Sequence, residues 1–131
     1  MAEIYLQEQV QRLFEKNGWW VAHMEPPAYP GFHDLLMIKG ELVILIEVKD
    51  FNMIRGRTEF WQVFQPSQAP MFIRMLGCGI TSYVIGKMKN DTYLIVISDM
   101  DTVKDILSLE RDEYLERHGV KLNRLEDLLD L

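Results

Sequence analysis

The sequence predicts an α/β fold in which a mixed β-sheet is flanked by helices and followed by a helical tail. An N-terminal segment with apolar residues at helical spacing precedes three short strand-like runs. A second helical region separates those runs from two more, and the last stretch is acidic with leucines at helical spacing. At 131 residues the chain has room for one core and shows no obvious linker. It has no internal repeat and no low-complexity segment.

The elements follow in order. Residues 3–17 form an amphipathic helix through Leu6, Val10, Leu13 and Phe14, and Gly18 ends it. Residues 19–24 read as a strand, and Pro26, Pro27, Pro30 and Gly31 mark a loop. Residues 33–39 and 42–49 read as a hairpin around Lys39-Gly40-Glu41. A polar segment, 52–58, leads into a helical region interrupted by Pro66. Ser67 is a plausible N-cap for its second piece, which ends at Gly77. Pro70 is tolerated in the first turn, where its missing amide has no intrahelical partner. Residues 82–88 and 92–98 are two further strands joined by Lys89-Asn90-Asp91. The tail, 99–131, carries Val103, Ile106, Leu107, Leu109, Leu122, Leu125, Leu128 and Leu129 on an apolar stripe, with Gly119 as a break. The expected division is a core over 1–98 and an acidic helical tail over 99–131 packed on the same domain. The stripe equally suits a dimer or partner surface.

Asp34, Glu47 and Lys49 stand out within the apolar, β-branched stretch 31–50. Burying charge in such strands is costly unless a partner or a metal compensates. If Gly40-Glu41 is a two-residue loop, Lys39 pairs with Leu42. Leu36 then faces Leu45, and Asp34 faces Glu47. Facing residues share one side of the sheet, with Cβ atoms roughly 4.5–5.5 Å apart. Lys49 lies two residues past Glu47 and shares that side. An odd loop or a bulge would turn one acid away. Two facing carboxylates repel, and a hard divalent cation such as Mg²⁺ relieves this by taking oxygen ligands from one or two carboxylates plus phosphate. Taken singly, each of these residues is ordinarily solvated surface charge, and Lys49–Glu47 could be an incidental ion pair.

Asp34, a spacer, then Glu47-Val48-Lys49 resembles the signature of the PD-(D/E)XK nuclease superfamily. The Gly31 lead-in and the hydrophobic strand before Glu47 are similar to the branch holding the VRR-NUC nucleases and the archaeal-type Holliday junction resolvases. The likeness covers roughly residues 3–98. It departs at His33, where the family usually has Pro. It implies a restriction-endonuclease-like fold and metal-dependent DNA cleavage. Asp34 and Glu47 would hold one or two Mg²⁺ ions, or Mn²⁺ in substitution, with the backbone carbonyl of Val48. Lys49 would orient the attacking water or stabilise the transition state.

The resemblance also implies an acid from the first helix. Glu8 falls near the family's position, ten residues before Gly18, but is two residues off the face defined by Val10, Leu13 and Phe14. Gln7 and Glu3 lie nearer that face. A glutamine on the helix after Glu-Val-Lys is a further implied site residue. Gln62, Gln65 and Gln68 compete, and Gln68 is best placed. Arg55 and Arg57, in the polar segment after Lys49, could touch phosphates flanking the break or be ordinary solvated charge. His23, His33 and His118 lack zinc spacing, and His33 should alternate to the strand face opposite Asp34.

A net charge of −6 and a pI near 5.0 are unlike a nucleic-acid footprint. Residues 99–131 hold ten acids against five bases, while 1–98 hold ten against nine. The acidity therefore lies in the tail, and non-specific DNA affinity should be modest. This favours a structure-selective or partner-delivered enzyme acting on branched or duplex DNA. A homodimer would suit a resolvase, because a four-way junction needs paired cuts. Alternative readings are a catalytically weak binding or assembly module of the same fold, and a protein-interaction domain using the acidic tail. The one cysteine, Cys78, cannot form an internal disulfide, so the chain reads as cytoplasmic. No membrane span or leader is expected. Small nucleases of this kind often occur in phages and mobile elements.

Overall fold

Apolar side chains in the central strands alternate between two separate cores, one on each face of the sheet. Val84 and Ile95 enter one core, while their neighbours Ile85 and Leu94 enter the other. A strand buried on both faces reads as a continuous apolar run, which is what the central strand shows. The computed structural model describes residues 2–24 and 31–131, so the loop expected at Pro26, Pro27 and Pro30 lies outside the described residues.

The order is α1 (Ala2–Lys16), β1 (Trp20–His23), β2 (Leu35–Lys39), β3 (Leu42–Asp50), α2 (Gln68–Gly77), β4 (Ser82–Met88), β5 (Asp91–Ile97), α3 (Met100–Ser108), α4 (Arg111–His118) and β6 (Gly119–Lys121). The six strands lie in sequence order across one sheet. All neighbours are antiparallel except β3 and β4, which are parallel. This is the mixed, helix-flanked α/β sheet that the sequence predicts. α1 covers one face through Leu6, Val10 and Phe14 on Leu35, Met37, Ile46 and Val48. On the other face Phe60, Phe64 and Phe72 meet Val103, Ile106 and Tyr114 from α3 and α4. Among the described residues no helix is long and apolar enough to cross a membrane.

Three expectations change. The helical region expected between the polar segment 52–58 and Pro66 is one short 3₁₀ turn, Phe60–Val63, and another, Phe51–Met53, directly follows β3. Pro66 pushes its predecessor away from the α conformation, so no α-helix runs through it. Ser67 precedes α2 but makes no side-chain capping bond. The tail is not wholly helical. Gly119 ends α4, and Val120 pairs with Leu94 to add a sixth strand. A Cβ at Gly119 would lie 2.7 Å from the Leu115 carbonyl oxygen, so only glycine permits this close return.

The segment joining β3 to α2 is held from below by the tail. The Arg111 guanidinium donates to the carbonyl oxygens of Phe51, at 2.9 Å, and Ile54. The Phe60 amide donates to the Leu109 carbonyl at 2.9 Å, and the Arg111 amide to the Thr58 carbonyl at 3.0 Å. The Phe60 ring stacks on Tyr114 with centroids 4.5 Å apart. Removing the guanidinium leaves two partly buried carbonyls unmatched. Arg111→Ala should therefore cost about 1–3 kcal/mol in a denaturant melt. Amide hydrogen exchange should speed up most over residues 51–60.

Candidate active site

The hairpin sets the site. Lys39 pairs with Leu42, and Leu36 with Leu45, as a two-residue loop demands. Continuing the register brings Asp34, just before β2, alongside Glu47. The Asp34 amide donates to Glu47 Oε1 at 3.2 Å, and the Val48 amide donates to Asp34 Oδ2 at 2.8 Å. Two carboxylates are thus fixed beside each other by main-chain donors.

Lys49 follows on the same side, with Nζ 3.4 Å from Glu47 Oε2. Its ammonium also lies 5.4 Å from the centre of the Phe64 ring, a cation–π position. Glu47 is 1 % exposed and Lys49 is 6 % exposed, so water does little to screen either. Gln68 is buried with them. Its Nε2 donates to Glu47 Oε2, and its Oε1 accepts from the Gln65 amide at 2.8 Å. Of the three competing glutamines, Gln68 is the one that reaches the acid. The approach of α2 depends on Gly31, which has φ +82°. A Cβ there would lie 2.2 Å from the Ser67 carbonyl oxygen, so a side chain would push the start of α2 away.

Burial, then the charge of Asp34, pushes the Glu47 carboxyl up to about 9, with Lys49 acting in the opposite direction. Desolvation outweighs the ion pair. Glu47 therefore competes for a proton at neutral pH, which a divalent cation between the acids would displace. Asp34 and Glu47 place carboxylate oxygens side by side, a pair that could hold a hard cation keeping water and phosphate ligands. Among the described residues no group of three or more His, Cys, Asp or Glu side chains is arranged around a metal position.

The first-helix candidates differ in exposure. Glu8 is exposed and lies outside this group. Glu3 is half-buried, and burial raises its carboxyl. It feels the opposing charge of Lys49 and the like charges of Asp34 and Asp50. Gln7 is buried at 9 % exposure. Arg55 and Arg57 are exposed on the segment after β3, and no contact joins them to the acids among the described residues.

His33 corrects one expectation. β2 begins only at Leu35, so strand alternation does not govern residue 33. Its ring is buried between Phe32 and Phe72, and Nε2 meets Ser82 Oγ at 2.8 Å. Ser82 pairs with Leu45, two residues before Glu47, so His33 braces the same side of the sheet. Burial holds its pKa down to about 4, which keeps the ring neutral. Its Nδ1 finds no partner among the described residues. Phe64 was also not legible. It lies fifteen residues beyond Lys49, with no local pattern linking the two.

The sign of the Glu47 effect follows directly. Below about 4.5 both folded and unfolded chains hold the proton, and above that value the unfolded chain releases it while the folded chain keeps it to about 9. Metal-free stability should fall as pH rises through that window. Glu47→Gln should flatten the dependence in thermal melts at pH 5 to 9 in EDTA. A profile as steep as wild type would rule out Glu47 as its source.

No family profile matches the sequence, and no curated protein matches it. Among solved structures, the chain is similar to that of Archaeoglobus fulgidus Hjc, a Holliday junction resolvase from an archaeal hyperthermophile. The TM-score is 0.51 at 16% identity, over 95% of this chain and 92% of that one. The likeness is one of fold, and its coverage extends beyond residue 98 into the tail. The mixed, helix-flanked sheet predicted from the sequence is thus an architecture shared with a solved resolvase.

Proposed function

We propose that the chain is a metal-dependent nuclease that hydrolyses DNA phosphodiester bonds, acting as a structure-selective endonuclease of the junction-resolvase or VRR-NUC type. The observation that carries this reading is the group formed by half-buried Asp34 with buried Glu47, Lys49 and Gln68, on adjoining strands and the crossover helix. Its setting in a fold shared with a Holliday junction resolvase supports the choice of substrate class.

When bound by Asp34, Glu47 and the Val48 carbonyl, one or two Mg²⁺ ions would acidify a water and neutralise charge on the scissile phosphate, with Mn²⁺ as a substitute. The protein's own groups do the rest. Gln68 and the Asp34 amide hold the Glu47 carboxyl in one orientation. Phe64 and Glu47 confine the Lys49 ammonium, so little reorganisation is needed when charge builds on the phosphate oxygens. Lysine suits this role as a compact point charge. Glu3, which senses the charges of Lys49 and Asp34, would add a further acid from α1 in place of the exposed Glu8. Arg55 and Arg57 would contact flanking phosphates. With a net charge of −6, few phosphates can be neutralised, so selectivity would come from DNA shape rather than broad electrostatic grip. A homodimer would supply the paired cuts that a four-way junction requires.

Labelled four-way junction, flap, duplex and single-stranded DNA should be offered with Mg²⁺, Mn²⁺ or EDTA. Cutting should require metal and favour a branched substrate. Glu47→Ala and Lys49→Ala should each lower the rate by about 10²-fold or more. Absence of cutting under every condition would leave the ion-paired binding module as the better description. In the same assay Glu3→Gln should slow cleavage and Glu8→Gln should not; the reverse ranking would reassign the helix acid.

Asp34→Asn removes the charge that, together with burial, makes ionisation of Glu47 costly in the folded chain. It should raise the melting temperature in EDTA and abolish the stabilisation that Mn²⁺ gives the wild type by mass action. A lower melting temperature in EDTA would mean that the Val48–Asp34 hydrogen bond outweighs the effect of the Asp34 charge on Glu47.

A further inference from the structure

An open cavity of about 530 Å³ lies between the 3₁₀ turn at Phe60–Val63, the start of α2 and α3. Its walls include Trp61, Phe64, Ala69, Ile106 and Leu107, and Gln62 and Gln65 supply amides. Ligand pockets commonly have this size and this mixture of apolar walls with a few polar groups. Trp61 and Leu107 are 43 % and 50 % exposed, so both offer apolar surface at the cavity. Nothing in the proposed chemistry uses them.

The cavity shares its wall with the candidate active site. Phe64 lines it and also carries the Lys49 ammonium. Gln65 lines it, and its amide donates to the side chain of Gln68, which holds Glu47. The indole N–H of Trp61 is engaged by the Glu59 carboxylate, which fixes the ring and leaves its face as the available surface. A flat, neutral, aromatic group with hydrogen-bonding edges fits these features.

We infer that this cavity receives an unpaired nucleobase next to the cleaved phosphate, stacked on Trp61 and contacted by the Gln62 and Gln65 amides. The inference rests on the nuclease reading and adds its source of selectivity. Moving a base out of a duplex costs stacking and pairing, and the cost is least where the base is already unpaired. A branch point or flap would therefore fill the cavity more readily than duplex. This would compensate for the weak electrostatic grip of an acidic chain.

The test uses DNA flaps with 2-aminopurine unpaired at the branch, and duplex with the same base paired, titrated with the full chain in Ca²⁺. The flap should bind more tightly and its 2-aminopurine fluorescence should be quenched. Loss of one aromatic stack corresponds to about tenfold weaker binding or more. Trp61→Ala should lose that preference and the quenching, while Trp61→Phe should keep most of both. Equal binding of flap and duplex, or quenching unchanged in Trp61→Ala, would overturn the inference while leaving metal-dependent cutting intact. Quenching that depends on Trp61 in a chain that cuts nothing would uphold the cavity and reject the nuclease. Binding of the apolar dye ANS that depends on Trp61 but resists displacement by single-stranded oligonucleotide would overturn it too, marking a partner's apolar side chain as the occupant.

Discussion

Glu47 occupies the interior of a strand buried on both faces, and the site is organised around satisfying that single carboxyl group. A buried carboxyl needs donors, and it receives them from the Asp34 amide and the Gln68 side chain. It needs countercharge, and Lys49 brings it from two residues along. Asp34 places a second acid alongside, which works against ionisation. The protein alone leaves this conflict unresolved, because burial and Asp34 together outweigh Lys49. Such strain is expected where chemistry is performed rather than where stability alone is served.

The parallel pairing of β3 with β4 explains why remote residues reach this carboxyl. A parallel neighbour cannot be reached by a hairpin, so the chain must cross over the sheet face. The crossover spans residues 51–81 and returns across the same side on which Glu47 and Lys49 lie. Gln68 and Phe64 are carried on it. The close passage of Gly31 against Ser67 then sets how near α2 comes to the acids.

Local chemistry was readable in the sequence, while of the remote contacts to Glu47 and Lys49 the family resemblance pointed to Gln68 and not to Phe64. The hairpin register followed from one glycine turn and from strict alternation, so Asp34 and Glu47 could be placed together. The sheet's helix-flanked character followed from alternating periodicities. The helix acid was harder, because Glu3 and Glu8 differ only by how α1 rotates on the sheet, which side-chain packing decides. His33 was misread because strand alternation was extended two residues beyond the point where β2 begins. Phe64, Ser82 and Arg111 act across long sequence separations that no local pattern encodes. β6 is three residues long and pairs only because Gly119 turns the chain back onto β5.

The hold of the tail on residues 51–60 has a consequence for how the protein comes into being. Every letter of the nuclease-like signature has been synthesised by Lys49, and Gln68 follows soon after. Yet the segment carrying Phe64 is seated on Leu109, Arg111 and Tyr114, some fifty residues further on. During vectorial synthesis the acids would be present long before the scaffold that aims Lys49. The surroundings of Lys49 would therefore be complete only late, after the chain as far as Tyr114 has left the ribosome.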